Sequence, residues 1–184
     1  MLYKLGLVTL VLFSLALGST ANAQPIFFDG TGNYYQLVTD GATWEDAQAL
    51  ASAQTFNGVQ GHLATLTSQE ENDFLFDAFD GLSGWIGLSQ APGSVEPDQG
   101  FQWVTNEIFS FSAFGGIEPN NVGGNEDFVE FFNGGWNDLG PTATRRYYVE
   151  FQTAGIPEPS AVPIVIAGMF ALLGARRRTQ LKKC

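Results

Sequence analysis

Apolar positions in the middle of the chain fall into two helical stripes, followed by a series of short strand-like runs. Tyr34 to Val38 is aromatic and β-branched and predicts a strand. Thr43 and Asp46 then form a capping box ahead of Trp44, Ala47, Leu50 and Ala51, whose spacing lays one apolar stripe along a helix. Leu63 to Leu66 reads as a short extended piece. Ser68 with Glu71 makes a second capping box, and the helix it opens carries Phe74, Leu75, Ala78 and Phe79 on one face before Gly81 stops it. Beyond Gly81 the helical period is lost. Trp85 to Leu88, Phe101 to Trp103, Phe128 to Phe132 and Arg145 to Gln152 predict strands, and Ile108 to Asp127 predicts one long loop rich in Gly and Asn. The order of strand, two helices and several strands is that of an α+β domain, and a loop of this length inside such a domain is a place to look for function.

The two ends have a different composition. Met1 to Lys4 is a short basic start, Leu5 to Leu17 is almost wholly apolar, and Ala21-Asn22-Ala23 has the small-x-small pattern of a signal peptidase site. Residues 1–23 are therefore expected to be a signal peptide, with the mature domain at 24–152 and a linker at 153–160. Pro157-Glu158-Pro159-Ser160 precedes an apolar stretch at 161–175 and a basic tail at 176–184 that opens with Arg176-Arg177-Arg178. That order closely resembles the PEP-CTERM signal of Gram-negative bacteria. The resemblance implies recognition by an exosortase-type enzyme, an exported domain at the cell surface or outside it, and transient or retained inner-membrane anchoring through a transmembrane helix at 161–175. Fifteen helical residues rise about 22 Å against a hydrocarbon core of about 30 Å, so a sorting element fits better than a permanent span.

Removing the ends sharpens the charge. Between residues 24 and 156 there are 18 acidic residues and only two basic ones, Arg145 and Arg146. Such an excess disfavours nucleic acid and anionic membrane surfaces as partners and favours divalent cations, although acidity also simply keeps a protein in solution. The single cysteine, Cys184, lies in the tail, so the domain is expected to have no disulfides.

Glu118, Asn120, Glu126, Asp127, Asn137 and Asp138 gather side-chain oxygens within twenty-one residues, on the loop and on the strands expected to flank it. Calcium takes six to eight oxygens from carboxylates, amide carbonyls and water, which suits this set. Zinc would want His or Cys, and the one histidine, His62, lies between Gly61 and Leu63 where a structural role is expected. No EF-hand spacing is present, and acidic residues beside glycines are also common in plain loops, so the inventory by itself leaves both readings open.

The arrangement strongly resembles the C-type lectin-like domain. Trp44 and Ala47 on the first helix, Gly61-His62-Leu63-Ala64-x-Leu66, Glu71-Asn72, Trp85-Ile86-Gly87-Leu88, Phe101-x-Trp103, Glu118-Pro119-Asn120, Glu126-Asp127 and Trp136-Asn137-Asp138 come in that family's order, across Tyr34 to Gln152. The resemblance implies two helices flanking small antiparallel sheets with a long calcium-binding loop. It implies one Ca2+ held by Glu118, Asn120, Glu126, Asn137 and Asp138, a cis bond before Pro119, and carbohydrate of the mannose, glucose or fucose type bound at the same five residues. An auxiliary calcium site would have Asp98 with Asp127 opposite. The chain departs from the family at its cysteine positions, which hold Ala51 with Val149 and Phe128 with Pro141, and at the usual Asn-Trp, replaced near Ala113 and Phe114.

The function expected is thus an exported calcium-dependent carbohydrate-binding protein. The alternative is a calcium-stabilised module that binds protein or has a structural surface role, without sugar specificity. An enzyme, with Glu118 and Glu126 as a glycosidase pair, is not expected, because these carboxylates are committed to the metal in the family pattern.

Overall fold

The computed structural model describes residues 23–153, a stretch without cysteine. Nine strands and two helices follow the order β1 (Ile26–Phe28), β2 (Asn33–Ala42), α1 (Trp44–Ser52), β3 (Thr55–Phe56), β4 (Val59–Leu63), α2 (Gln69–Ala78), β5 (Gly84–Gln90), β6 (Phe101–Trp103), β7 (Phe128–Phe132), β8 (Gly135–Leu139) and β9 (Arg145–Phe151). The backbone of the fold is the sequence of neighbours β1, β2, β9, β5, β7, β8, with β4 also on β9, β3 on β4 and β6 on β5. All pairings are antiparallel except β5 with β9, which meet in parallel at Trp85 and Tyr147. The small antiparallel sheets expected from the sequence are therefore joined into one mixed sheet.

Both helices begin where their capping residues stand. Thr43 Oγ1 accepts the amide of Asp46 and donates to its carboxylate at 2.9 Å, and Ser68 Oγ accepts the amide of Glu71. Trp44, Ala47 and Ala51 form the buried stripe of α1, whereas Leu50 is 49% exposed. At about 100° per residue Leu50 sits on the margin of a stripe this narrow. On α2, Leu75 is buried and Phe79, at its C-terminal cap, packs edge-on to Tyr148.

Two apolar clusters make the core. One joins α2 to β5, β6, β7 and β8 through Leu75, Ile86, Trp103, Phe131, Trp136 and Tyr148; the other joins α1 to β4 and β9 through Trp44, Ala51, Leu63, Trp85, Val149 and Phe151. The buried indoles keep their N–H groups bonded, Trp44 to the carbonyl of Ile86 at 2.8 Å and Trp85 to that of Ala42 at 2.9 Å. Three of the four positions where the resembled family has cysteines are filled by packing, and the fourth, Pro141, is exposed. Ala51 and Val149 close over Gly61, where a Cβ would lie 2.8 Å from Val149 and 2.9 Å from the Ala51 carbonyl, and Phe128 stacks on Trp44 at 4.9 Å.

A polar network runs through the interior that the sequence pattern did not announce. Glu150, 1% exposed, accepts bonds from Asn33 Nδ2 at 2.7 Å and from the amide and hydroxyl of Thr65, both at 2.9 Å. Glu71 accepts the hydroxyl of Tyr35 on one oxygen and the amide of Thr67 on the other. Burial pushes the Glu150 carboxyl up to about 8, with the charges of Glu71 and Glu107 adding to the effect, and burial likewise raises Glu71. His62 lies opposite Glu150 in the β4 to β9 register, donates through Nδ1 to the Leu63 carbonyl at 2.9 Å, and is shifted down by burial.

The expected transmembrane helix and the inner-membrane anchoring attached to it are corrected by the structure. Among the described residues no helix is long and apolar enough to cross a membrane, and α1 and α2, at 9 and 10 residues, rise only about 15 Å. The segments at 1–22 and 154–184, to which the signal peptide, the sorting segment and the basic tail were assigned, lie outside the described residues.

Candidate functional site

The long loop is held from below by aromatic packing and from the side by β8. Phe109, Phe111 and Phe114 surround the indole of Trp136 with ring centroids 6.4, 5.6 and 5.7 Å away, and Trp103 meets it edge-on at 5.6 Å. Trp136 Nε1 donates to Asn72 Oδ1 at 2.9 Å, and Asn72 Nδ2 donates to the Gly134 carbonyl at 2.8 Å, so α2 clamps the turn between β7 and β8. The backbone at Ala113 and Phe114 runs beside β8, with Trp136 N–H bonded to the Ala113 carbonyl at 2.9 Å. Ala113 and Phe114 thus carry the chain into the loop by sheet-like bonding and packing in place of the Asn-Trp of the resembled family.

From Glu118 onward the loop is folded around its own polar side chains. The Glu118–Pro119 bond is cis, as is Glu96–Pro97 elsewhere in the chain. Asp138, 1% exposed on β8, takes the amides of Asn120 and Asn121 on its two oxygens at 3.0 and 2.8 Å. Asn121 has φ of 47°, a left-handed conformation that asparagine tolerates better than most residues, and its Oδ1 accepts the amide of Glu126 at 3.0 Å. The amide of Val122 donates to Asn120 Oδ1 at 3.0 Å and to Glu126 Oε2 at 2.5 Å. Asn121 was missing from the candidate residues, and the Asn-Asn-Val-Gly-Gly run was the signal for it.

Of the five residues expected to form the site, Glu118, Asn120, Glu126 and Asp138 are linked through this loop. Asn137 comes to Glu118 from another direction, since both line an open cleft of about 330 Å³ with Phe132, Gly135 and Trp136. Burial, then the adjacent Asp138 carboxylate, raises the Glu118 carboxyl, while contact with the Asn120 side chain works the other way. Glu118 Oε2 is shut off from solvent and has no hydrogen-bond partner. A carboxylate oxygen in that state, facing a second carboxylate, is an arrangement that a hard cation with oxygen ligands would satisfy. Among the described residues no group of three or more His, Cys, Asp or Glu side chains is placed to hold a metal ion, so the oxygens available here are of mixed carboxylate and amide type. Asp127 turns its backbone carbonyl to the Gln90 amide at 2.7 Å, and Asp98 is exposed in the loop before β6.

Comparison with known proteins agrees with this architecture. The family model described as "Lectin C-type domain" matches residues 40–149. Halomucin of Haloquadratum walsbyi is 38% identical over 130 residues, which are 71% of this chain and 1% of that protein. C-type lectin domain family 4 member G of Mus musculus is 31% identical over 133 residues, 71% of this chain and 43% of that protein. The chain therefore spans less than half the length of these two relatives. Among solved structures, the EPNH mutant of CEL-I superposes with a TM-score of 0.57 at 26% identity, covering 64% of this chain and 88% of that one. The cow C-type carbohydrate-recognition domain of CD23, solved in the presence of a GlcNAc2Man3 oligosaccharide, superposes with a TM-score of 0.59 at 24% identity over 72% of this chain and 98% of that one, a likeness of fold. With more than half of its 184 residues matched in the family's own order, the chain belongs to the C-type lectin domain family.

Proposed function

We propose that residues 24–152 form a calcium-dependent carbohydrate-binding domain for mannose, glucose or fucose type sugars, with Glu118, Asn120, Glu126, Asn137 and Asp138 as both the metal ligands and the sugar contacts. The observation that carries this reading is the unpartnered, buried Oε2 of Glu118 set against Asp138. When bound, calcium supplies a centre on which two neighbouring hydroxyls of a pyranose replace water. The chain's own residues do the rest. Glu118 and Glu126 accept the hydroxyl hydrogens, and the carboxamides of Asn120 and Asn137 offer an oxygen to the cation and an N–H to the sugar. Asp138 holds the Asn120–Asn121 backbone against β8. In the wider chain, residues 1–23 serve as an export leader and the Pro157-Glu158-Pro159 run as a processing signal for an exosortase-type enzyme, on the sequence pattern alone.

A second reading, a calcium-stabilised module that binds protein, is favoured by the exposure of Ile117 and Val122, 82% and 68%, on either side of Glu118 to Asn120. One experiment separates the two: thermal unfolding and glycan-array binding in calcium and in chelator, for the chain and for its Asn137→Ala/Asp138→Ala double variant. Calcium at a hundredfold over its dissociation constant is expected to stabilise the wild type by about 2.7 kcal/mol and the double variant not at all. Chelator-sensitive glycan binding supports the lectin reading, stabilisation without it leaves the protein-binding module, and no stabilisation sinks both.

A further inference from the structure

A carboxamide side chain is ambivalent. Its oxygen and nitrogen ends have nearly the same shape, yet only the oxygen end can serve a hard cation. Asn137 therefore needs something to decide which end faces the cleft it shares with Glu118. Glu130 stands directly opposite it in the β7 to β8 register and is 3% exposed. Asn137 Nδ2 donates to Glu130 Oε1 at 3.2 Å. An ionised carboxylate only accepts, so the reversed amide would set oxygen against oxygen in a buried place. The second oxygen of Glu130 receives Arg145 Nε at 2.6 Å, from the first residue of β9. Among the described residues this is the one ion pair between a carboxylate and an arginine, in a stretch with 18 acidic and two basic residues.

We propose that Glu130, charge-compensated by Arg145, is a positioning residue that holds the Nδ2 of Asn137 and so turns its carboxamide oxygen toward the cleft. Glu130 acts through Asn137 and lies outside the ligand set. Its consequence for metal binding rests on the calcium reading above, whereas the orientation itself does not. Register makes the assignment specific: Asn137 and Glu130 are directly opposed cross-strand partners, and Arg145 holds the other carboxylate oxygen of Glu130.

Two measurements on the isotope-labelled full chain test this, with Glu130→Gln, Arg145→Met and Arg145→Lys compared with the wild type. In chelator, the side-chain amide protons of Asn137, assigned by their loss in Asn137→Asp, are expected to be widely split in the wild type. They should draw together in Glu130→Gln, because glutamine can present either end to Asn137. In a calcium titration followed by tryptophan fluorescence, Glu130→Gln and Arg145→Met are expected to raise the midpoint tenfold or more, the usual scale for the loss of a ligand's outer partner, and Arg145→Lys to recover part of the difference. Variants that melt earlier in chelator but keep their calcium midpoint within twofold would overturn the positioning role and leave a structural one. If the wild type shows no calcium response, the calcium reading fails and the amide spectrum alone decides: collapse of the splitting upholds the orientation, and an unchanged spectrum overturns it. Should Glu130→Gln fail to fold, Arg145→Lys is judged by the same two measurements.

Discussion

Asp138→Ala tests whether the loop is tied down by the protein itself. The carboxylate of Asp138 is almost fully buried and receives two backbone amides, Asn120 at 3.0 Å and Asn121 at 2.8 Å. Hydrogen bonds to a charged group contribute about 1.5–3 kcal/mol each. Both donors belong to half-buried loop residues that water can reach once the carboxylate is gone, so the lower end applies, about 3 kcal/mol for the pair. Against this, the variant relieves the repulsion between the buried Asp138 carboxylate and Glu118, which the two amide bonds are expected to outweigh. The net loss expected is smaller than that sum, about 2 kcal/mol. For a domain of about 130 residues, an unfolding entropy of about 2.1 cal/mol/K per residue converts this into a fall in Tm of about 7 °C. The measurement is thermal unfolding by circular dichroism in chelator, with Asp138→Asn alongside. Asparagine keeps one acceptor and can donate to Glu118, so its loss should be smaller than that of alanine. A shift below about 2 °C for Asp138→Ala, or a rise, would refute the reasoning and mean that repulsion between the carboxylates outweighs the two amide bonds.

Two further outcomes follow from the interior. Trp136→Phe removes the donor to Asn72 Oδ1 and leaves that buried oxygen unpaired, so denaturant unfolding should show a loss of about 1–3 kcal/mol, and a change under about 0.5 kcal/mol would argue that the clamp between α2 and the β7–β8 turn is slack. Glu150 is raised, to about 8, so the folded state keeps a proton that the unfolded chain gives up near 4.5; its contribution to stability is fully present below 4.5 and is lost as pH rises through about 8. Within that window each pH unit should cost the wild type up to about 1.4 kcal/mol, and Glu150→Gln should flatten the dependence; equal slopes in the two proteins would remove Glu150 as its source.

How far the fold could be read from the sequence depended on whether the signal was local. Both capping boxes were legible because Thr43 with Asp46 and Ser68 with Glu71 act within one helical turn. β8 was not foreseen as a strand, since Gly135-Trp136-Asn137-Asp138-Leu139 has the composition of a turn and becomes a strand only by pairing with β7. Leu50 fell outside the core because α1 buries only Trp44, Ala47 and Ala51, a limit set by what the helix packs against and not by its own spacing. The same distinction holds at the site. Glu118, Asn120, Glu126 and Asp138 were legible as an ordered motif, and Asn121 could have been found from its Asn-Asn-Val-Gly-Gly run, while Glu130 and Arg145 act through a strand register that no spacing reveals. The proximity of Glu71 and Glu150 was equally hidden, because residues almost eighty positions apart meet only when β9 is laid beside β2 and β4.

The pairing of β2 with β9 also sets how the domain carries load. Tyr34 and Phe151, register partners, lie at the two ends of the sheet's first and last long strands. A pull applied between Asn33 and Thr153 would therefore part the β2–β9 pairs one after another from Tyr34–Phe151 inward, as a zipper opens, and would not shear the strands along their length. Asn33 sits at the mouth of that zipper, with Nδ2 on Glu150 at 2.7 Å and Oδ1 on the amide of Thr153 at 2.9 Å. One buried asparagine side chain, far in sequence from the lectin loop, is thus the clasp that such a pull meets first.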